Sequence, residues 1–273
     1  MASFRIGGFP PITNVVKNLI IINVLMFAFT YTLGMRGVNL DNYLALHYWQ
    51  SPLFGWWQLV THLFMHGGIE HILFNMFGLY MFGSILENVW GPKRFLIFYL
   101  VCGIGAALFY LGVQTLEYNS LHNAVMQYQQ HPGYPEFVSF LQKHNITDGI
   151  NQSFLSEWSL NPGSVDLANA STGFVNSYYH AIISEPTVGA SGAIFGLLFA
   201  FGYLFPNMPL MIMFIPIPIK AKWFVTIYGA IELFSGLQNS PGDNVAHFAH
   251  LGGMFFAFIL LRIWKNKIRN RFY

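Results

Sequence analysis

Charge is scarce in this sequence of 273 residues: Asp, Glu, Lys and Arg make up 9% of it, where a soluble domain carries about a quarter. With 54% hydrophobic residues, 18% aromatic ones and a mean hydropathy of +0.46, such a surface does not stay dissolved in water. The net charge is only +2, and the basic residues sit at the ends of apolar segments and form no stripe, which excludes a nucleic-acid partner. Cysteine is nearly absent. The single Cys102 excludes a disulfide framework and a thiolate metal site, and within an apolar run it reads as a small packed side chain. No internal repeat is visible, which counts against the inverted-repeat transporter designs. The opening stretch MASFRIGGFPPITNVVKN lacks an apolar region closing on a small-residue cleavage site, so the first apolar segment is expected to stay as a membrane helix.

What the sequence does have is long apolar runs. About 20 apolar residues cross the hydrocarbon core as a helix, and six such runs are expected at roughly 15–34, 69–89, 94–116, 187–205, 222–238 and 246–264. The expected fold is therefore all-α: a polytopic bundle of six transmembrane helices in one membrane domain over 1–273. Placing the N-terminus in the cytoplasm puts eleven basic residues inside (Arg5, Lys17, Lys93, Arg94, Lys220, Lys222, Arg262, Lys265, Lys267, Arg269 and Arg271) and only Arg36 and Lys143 outside. That asymmetry sets the orientation, with both termini cytoplasmic.

Two external connections are long. Residues 35–68 are rich in Trp, His and Tyr and suit the membrane interface. The insertion between the third and fourth helices, at about 117–186, is rich in Asn, Gln and Ser. It reads as a loop with short helices in preference to a compact cap. On the inner side, IPIPIKAK at 215–222 reads as a proline-punctuated turn. The loop at 238–244, with hinge residues Pro241 and Gly242, together with the fifth span reads as a gate.

Polar side chains inside spans are costly and by default mark function. The fourth span opens with Gly189-Ala-Ser191-Gly192. A serine there meets the free amide donors and the dipole of a helix N-terminus, as a nucleophile needs; the same motif also serves plain helix packing. The last span carries a small-residue stripe, Ala249, Gly253 and Ala257, and the fourth carries Gly192, Gly196 and Ala200. If the stripes face one another, Ser191 and His250 come to the same depth as a nucleophile and its general base. That register selects His250 over His247, which reads as a hydrogen-bonding or interfacial histidine.

In the second span His71 and Asn75 are four apart on one face. They are either oxyanion donors or helix-to-helix glue. His62, His66 and His71 invite a metal reading, but no carboxylate or thiolate shares their register; His62 and His66 read as residues holding the external loop. Glu87 and Glu232 read as structural hydrogen-bonding residues.

Taken together these motifs resemble the rhomboid intramembrane serine proteases, of bacterial type, over about 15–264 apart from the insertion. The resemblance rests on Gly189-Ala-Ser191-Gly192, on His71-Ile-Leu-Phe-Asn75 and on Ala249-His250-Leu-Gly-Gly253. It implies a Ser191–His250 dyad, an oxyanion hole from His71, Asn75 and the Ser191 N–H, and support from Gly189, Gly192 and Phe195. It implies no metal and no cofactor. The implied partners are the lipid bilayer and membrane-protein substrates with transmembrane helices, and the implied location is a bacterial inner membrane.

The sequence departs from the family pattern at four points. Gln58 follows Trp57 where many members have arginine, Phe195 replaces a tyrosine that stacks on the imidazole, Ala257 replaces a glycine, and the insertion is long. Two other readings remain: a catalytically inactive rhomboid-like protein that binds membrane proteins, and a histidine-based metal-binding or transport protein.

Overall fold

The computed structural model describes residues 10–146, 150–212, 215–238 and 246–269. The gate expected around Pro241 and Gly242 lies outside the described residues. In chain order the elements are α1 (Asn14–Gly34), α2 (Asp41–Leu44), α3 (Gln58–Thr61) with a 3-10 turn (His62–Phe64), and α4 (Ile69–Gly78), which runs through a π-helical turn (Leu79–Gly83) into α5 (Ser84–Trp90). Then come α6 (Pro92–Gln130), α7 (Tyr134–Lys143), α8 (Gln152–Leu160), α9 (Val165–Ile183), α10 (Ser191–Leu204), β1 (Pro209–Ile212), β2 (Ile215–Lys220), α11 (Ala221–Gln238) and α12 (His247–Arg269).

The protein is a polytopic helical membrane bundle, and each expected span corresponds to a helix. By length and apolarity α1, the run Ile69–Trp90, α6 and the stretch His247–Trp264 can each cross a membrane. The fourth span is shorter than expected, 14 residues from Ser191. At 1.5 Å per residue that is about 21 Å, less than the roughly 30 Å hydrocarbon core. Its approach is instead extended, with Thr187 bridged to Leu46 by paired backbone hydrogen bonds of 2.8 and 2.9 Å. Non-helical backbone at membrane depth persists only where protein satisfies it, and this pairing does so.

The chain divides into two compact units. The first comprises Met1–His47, Leu53–Gly112 and Pro186–Tyr273. Its core includes Leu63, Leu79, Leu86, Phe98, Ala193 and Leu197, all fully buried. Glu87 belongs to this packing, as expected of a structural residue: its carboxylate accepts from the Val15 and Val16 N–H groups at 3.1 and 3.0 Å and from the Thr13 hydroxyl. A carboxylate at a helix N-terminus satisfies free donors and complements the dipole.

Helices α6, α10 and α12 approach closely along the two small-residue stripes. A Cβ on Gly192 would lie 3.4 Å from the Ala249 carbonyl oxygen, one on Gly196 3.1 Å from that of Gly253, and one on Gly253 only 1.8 Å from that of Gly192. Cys102 is the buried small side chain expected, packed against Gly196. The stretch 215–222 is not a turn. Residues 209–212 and 215–220 form an antiparallel pair with Leu210 opposite Ile219. Pro216 and Pro218 are two apart, so their missing N–H groups fall on one edge of the strand and leave the other free to pair.

The second unit comprises Tyr48–Pro52 and Val113–Glu185. The insertion, read from the sequence as a loop with short helices, is a helical unit with its own core. The end of α6 with α7, α8 and α9 packs Leu121, Val125, Tyr128, Phe137, Phe140, Trp158 and Val175 together. The α8 and α9 N-termini are capped by Asn151 and Ser164, which accept from the Ser153 and Leu167 N–H groups.

Candidate active site

Ser191 is the first residue of α10, so its N–H precedes that helix's own hydrogen-bond ladder. The turn before it is fixed by Gly189, whose φ of +121° is a conformation open to glycine and strained for other residues. The Gly189 N–H donates to the His62 carbonyl oxygen at 3.0 Å. From α12, His250 Nε2 stands 2.9 Å from Ser191 Oγ. His250 is 8% exposed, and its imidazole lies flat on Phe195, with ring centroids 4.0 Å apart and planes 6° from parallel. The stacking therefore needs no phenolic hydroxyl.

His71 and Asn75 converge on the same turn. A Cβ on Gly189 would sit 2.7 Å from His71 Nε2 and 3.6 Å from Asn75 Nδ2. The Gly67 N–H donates to His71 Nδ1 at 3.4 Å, so in the neutral ring the proton belongs on Nε2, the nitrogen facing the turn. Asn75 is 5% exposed, and its buried Nδ2 has no hydrogen-bond partner among the described residues. A buried amide donor without a partner costs free energy; an oxyanion formed at Ser191 would supply the missing acceptor. Beside Ser191 is a cavity of about 20 Å³ lined by Leu46, His62, Ala106, Thr187 and Ala249, room for about one water.

The segment leading into α4 is tied to this turn through the hydrogen bond from the Gly189 N–H to the His62 carbonyl. Gln58 is fully buried: its Nε2 donates to the Leu53 carbonyl at 2.8 Å, and its Oε1 accepts from the His47 N–H at 3.2 Å. An amide with both donor and acceptor thus anchors the segment without the guanidinium common in the family. His62 Nδ1 bonds the Gln58 carbonyl at 2.7 Å, and burial pushes its pKa down to about 4. Burial, with His71 adding to it, pushes His66 to about 4 as well.

These histidines make a prediction. Between pH about 6.5 and about 4 the unfolded segment binds protons that the folded one refuses, so their stabilisation, complete above pH about 6.5, is lost as pH falls through that window. Thermal unfolding in detergent should show a Tm lower at about pH 4.5 than at about pH 7, with a smaller drop in His62→Asn. Equal Tm values at both pH values in the wild type would contradict neutral buried imidazoles.

Glu232 in α11 is a hydrogen-bonding residue shared by the two histidines at the start of α12. Its Oε2 accepts from His250 Nδ1 at 2.8 Å and from His247 Nδ1 at 2.7 Å, and its side chain is 6% exposed. His247 is accordingly a hydrogen-bonding partner of this carboxylate. Glu232, His247 and His250 are also the one group with metal-ligand spacing found among the described residues, but hydrogen bonds already account for the geometry. His62, His66 and His71 form no such group there.

Comparison with known proteins identifies the family of the chain. The family profile described as "Rhomboid domain" matches residues 53–125 and 163–266, leaving out α7 and α8. The rhomboid protease GluP of Bacillus subtilis is 32% identical over 92 residues, 33% of this chain and 18% of that protein. The rhomboid protease AarA of Providencia stuartii is 30% identical over 95 residues, 33% of this chain and 34% of that protein. RHOMBOID-like protein 12, mitochondrial, of Arabidopsis thaliana is 28% identical over 214 residues, 77% of this chain and 47% of that protein. The aligned stretches thus span about half or less of these relatives' own lengths. With a profile match over most of its length and a polytopic helical bundle to carry it, the chain belongs to the rhomboid family of membrane proteins, a family that includes intramembrane serine proteases.

Proposed function

We propose that this chain is an intramembrane serine endopeptidase that cleaves transmembrane segments of other membrane proteins. The observation that carries the proposal is the 2.9 Å contact between His250 Nε2 and Ser191 Oγ. Ser191 Oγ attacks the substrate carbonyl carbon as His250 Nε2 takes its proton. The oxyanion is met by the Ser191 N–H, His71 Nε2–H and Asn75 Nδ2–H. The C–N bond then breaks, the leaving amine takes the proton from His250, and a water activated by the same imidazole hydrolyses the acyl-enzyme. The cavity beside Ser191 has the size for that water. No step requires a metal or cofactor. The chain acts as a multi-pass protein, with both termini cytoplasmic and the site toward the external side; a bacterial inner membrane is the proposed location.

A fluorophosphonate probe tests this reading. Labelling of the wild type that is lost in Ser191→Ala supports the hydrolase. No labelling of a folded wild type would favour the catalytically inactive, membrane-protein-binding alternative. Loss of one oxyanion donor typically costs on the order of 10²–10³ in rate. Asn75→Ala is therefore expected to cleave a single-span substrate that much more slowly while keeping a measurable rate, as checked by product mapping with mass spectrometry. Wild-type turnover in Asn75→Ala would leave Asn75 as helix-to-helix glue.

A further inference from the structure

We infer that Glu232 is the positioning residue of the site, a third member that sets the tautomer and orientation of His250, so that this chain works with a Ser191–His250–Glu232 relay and not with a bare dyad. The inference rests on the serine-protease reading and deepens it.

His250 has two ring nitrogens, and both are engaged. Nδ1 lies 2.8 Å from Glu232 Oε2 and Nε2 lies 2.9 Å from Ser191 Oγ. A carboxylate only accepts, so Nδ1 carries the proton of the neutral imidazole. Nε2 is then left with its lone pair toward the serine hydroxyl, the arrangement a general base requires. The opposite tautomer would place an N–H against Ser191 and block proton abstraction. When the serine proton moves to Nε2, the ring becomes a cation inside the protein. There the adjacent carboxylate is worth more than it would be in water. Glu232 keeps its charge throughout; the proton travels from Ser191 to Nε2 and on to the leaving amine.

The placement of Glu232 is itself enforced. The same oxygen accepts from His247 Nδ1 at 2.7 Å, so the carboxylate is held from the outer side by one imidazole while it holds the other. Phe195 stacks on the His250 face at 4.0 Å and removes the remaining rotational freedom of the ring. A glutamate with a side chain 6% exposed between two helices costs desolvation, and that cost is unaccounted for if its role is packing alone.

The test uses the full chain in liposomes with a single-span substrate, together with the fluorophosphonate probe. Glu232→Gln keeps the size of the side chain and removes its charge. It is expected to lower kcat by on the order of 10²-fold or more with KM little changed, and to slow probe labelling in parallel. Glu232→Asp is expected to recover part of that loss. His247→Ala, which removes one of the two imidazoles that hold the carboxylate, is expected to lower kcat, but by less than Glu232→Gln does. A low-field proton NMR resonance from His250 Nδ1–H is expected in the wild type and absent in Glu232→Gln at unchanged Tm.

Wild-type kcat in a folded Glu232→Gln protein would overturn the inference while Ser191-dependent labelling kept the protease reading standing. A wild-type activity abolished by a chelator would overturn it too, assigning Glu232, His247 and His250 to a metal. If Glu232→Gln does not fold, the shorter Glu232→Asp carries the test. A lowered kcat with the low-field resonance shifted supports the relay, and an unchanged kcat with an unchanged resonance defeats it.

Discussion

Ser191→Ala, His250→Ala and the double variant are expected to share one residual rate of cleavage, lower than wild type by on the order of 10⁴–10⁶. The three values coincide because nucleophile and base act as one unit: without the Oγ there is nothing for the imidazole to activate, and without the imidazole the hydroxyl remains a neutral alcohol. Neither change disturbs the close packing of α10 and α12, which rests on glycine and alanine positions and not on the reactive pair. All three variants should therefore purify as folded membrane proteins with Tm values near wild type. Single-turnover cleavage of a transmembrane substrate, with products mapped by mass spectrometry, reads the rates. Near-native cleavage by Ser191→Ala would end the serine-protease reading, whereas a double variant much slower than either single one would show two independent contributions.

The part of this site that can be read from the sequence is the part encoded by short spacings along one helix. Gly192, Gly196 and Ala200 on one span, with Ala249, Gly253 and Ala257 on another, give the register of approach directly. Small residues four apart have no other common reason to line up in a membrane. That register brings Ser191 to His250. His71 and Asn75 are legible by the same logic, four apart on one face.

Glu232 is not legible in that way. Helix α11 carries no stripe, so nothing along the chain says which of its faces meets α12; only tertiary packing turns Glu232 toward His250. A buried carboxylate on a neighbouring span was the one available signal, and a structural role explains such a residue equally well from sequence alone.

The insertion shows a different limit. Its Asn, Gln and Ser content reads as a loop, yet Leu121, Val125 and Tyr128 fall at positions i, i+4 and i+7, and Phe137, Phe140 and Leu141 at i, i+3 and i+4. Those are helical apolar stripes. They are short, and composition averaged over seventy or so residues dilutes them. Gln58 is a third case. The missing guanidinium suggests a weaker external segment, but a primary amide both donates and accepts, and here it bridges backbone groups of the same segment.

Gly253→Ala is expected to be among the most damaging single substitutions in the bundle although it adds only one methyl group. The added Cβ would fall 1.8 Å from the Gly192 carbonyl oxygen. A side chain could rotate away from such an intrusion; a backbone carbonyl within a helix cannot. The only relief is for α12 to move away from α10 by more than an ångström. Overpacking of this kind costs roughly 1–3 kcal/mol and occasionally more, and in lipid no hydrophobic force drives separated helices back together. The same displacement lengthens the 2.9 Å contact between His250 Nε2 and Ser191 Oγ. Misplacement by about 1 Å costs on the order of 10²-fold in rate, so activity should fall by at least that much even in the fraction that remains folded. Gly112→Ala is the matched control, because a Cβ there meets nothing within 4 Å and alanine favours the helix by about 1 kcal/mol over glycine. Thermal unfolding in detergent and the rate of fluorophosphonate labelling should separate the two variants, Gly253→Ala losing both stability and labelling and Gly112→Ala keeping both. Wild-type Tm and labelling in Gly253→Ala would show that α10 and α12 are not in backbone contact, and the register that brings serine and histidine together would then need another cause.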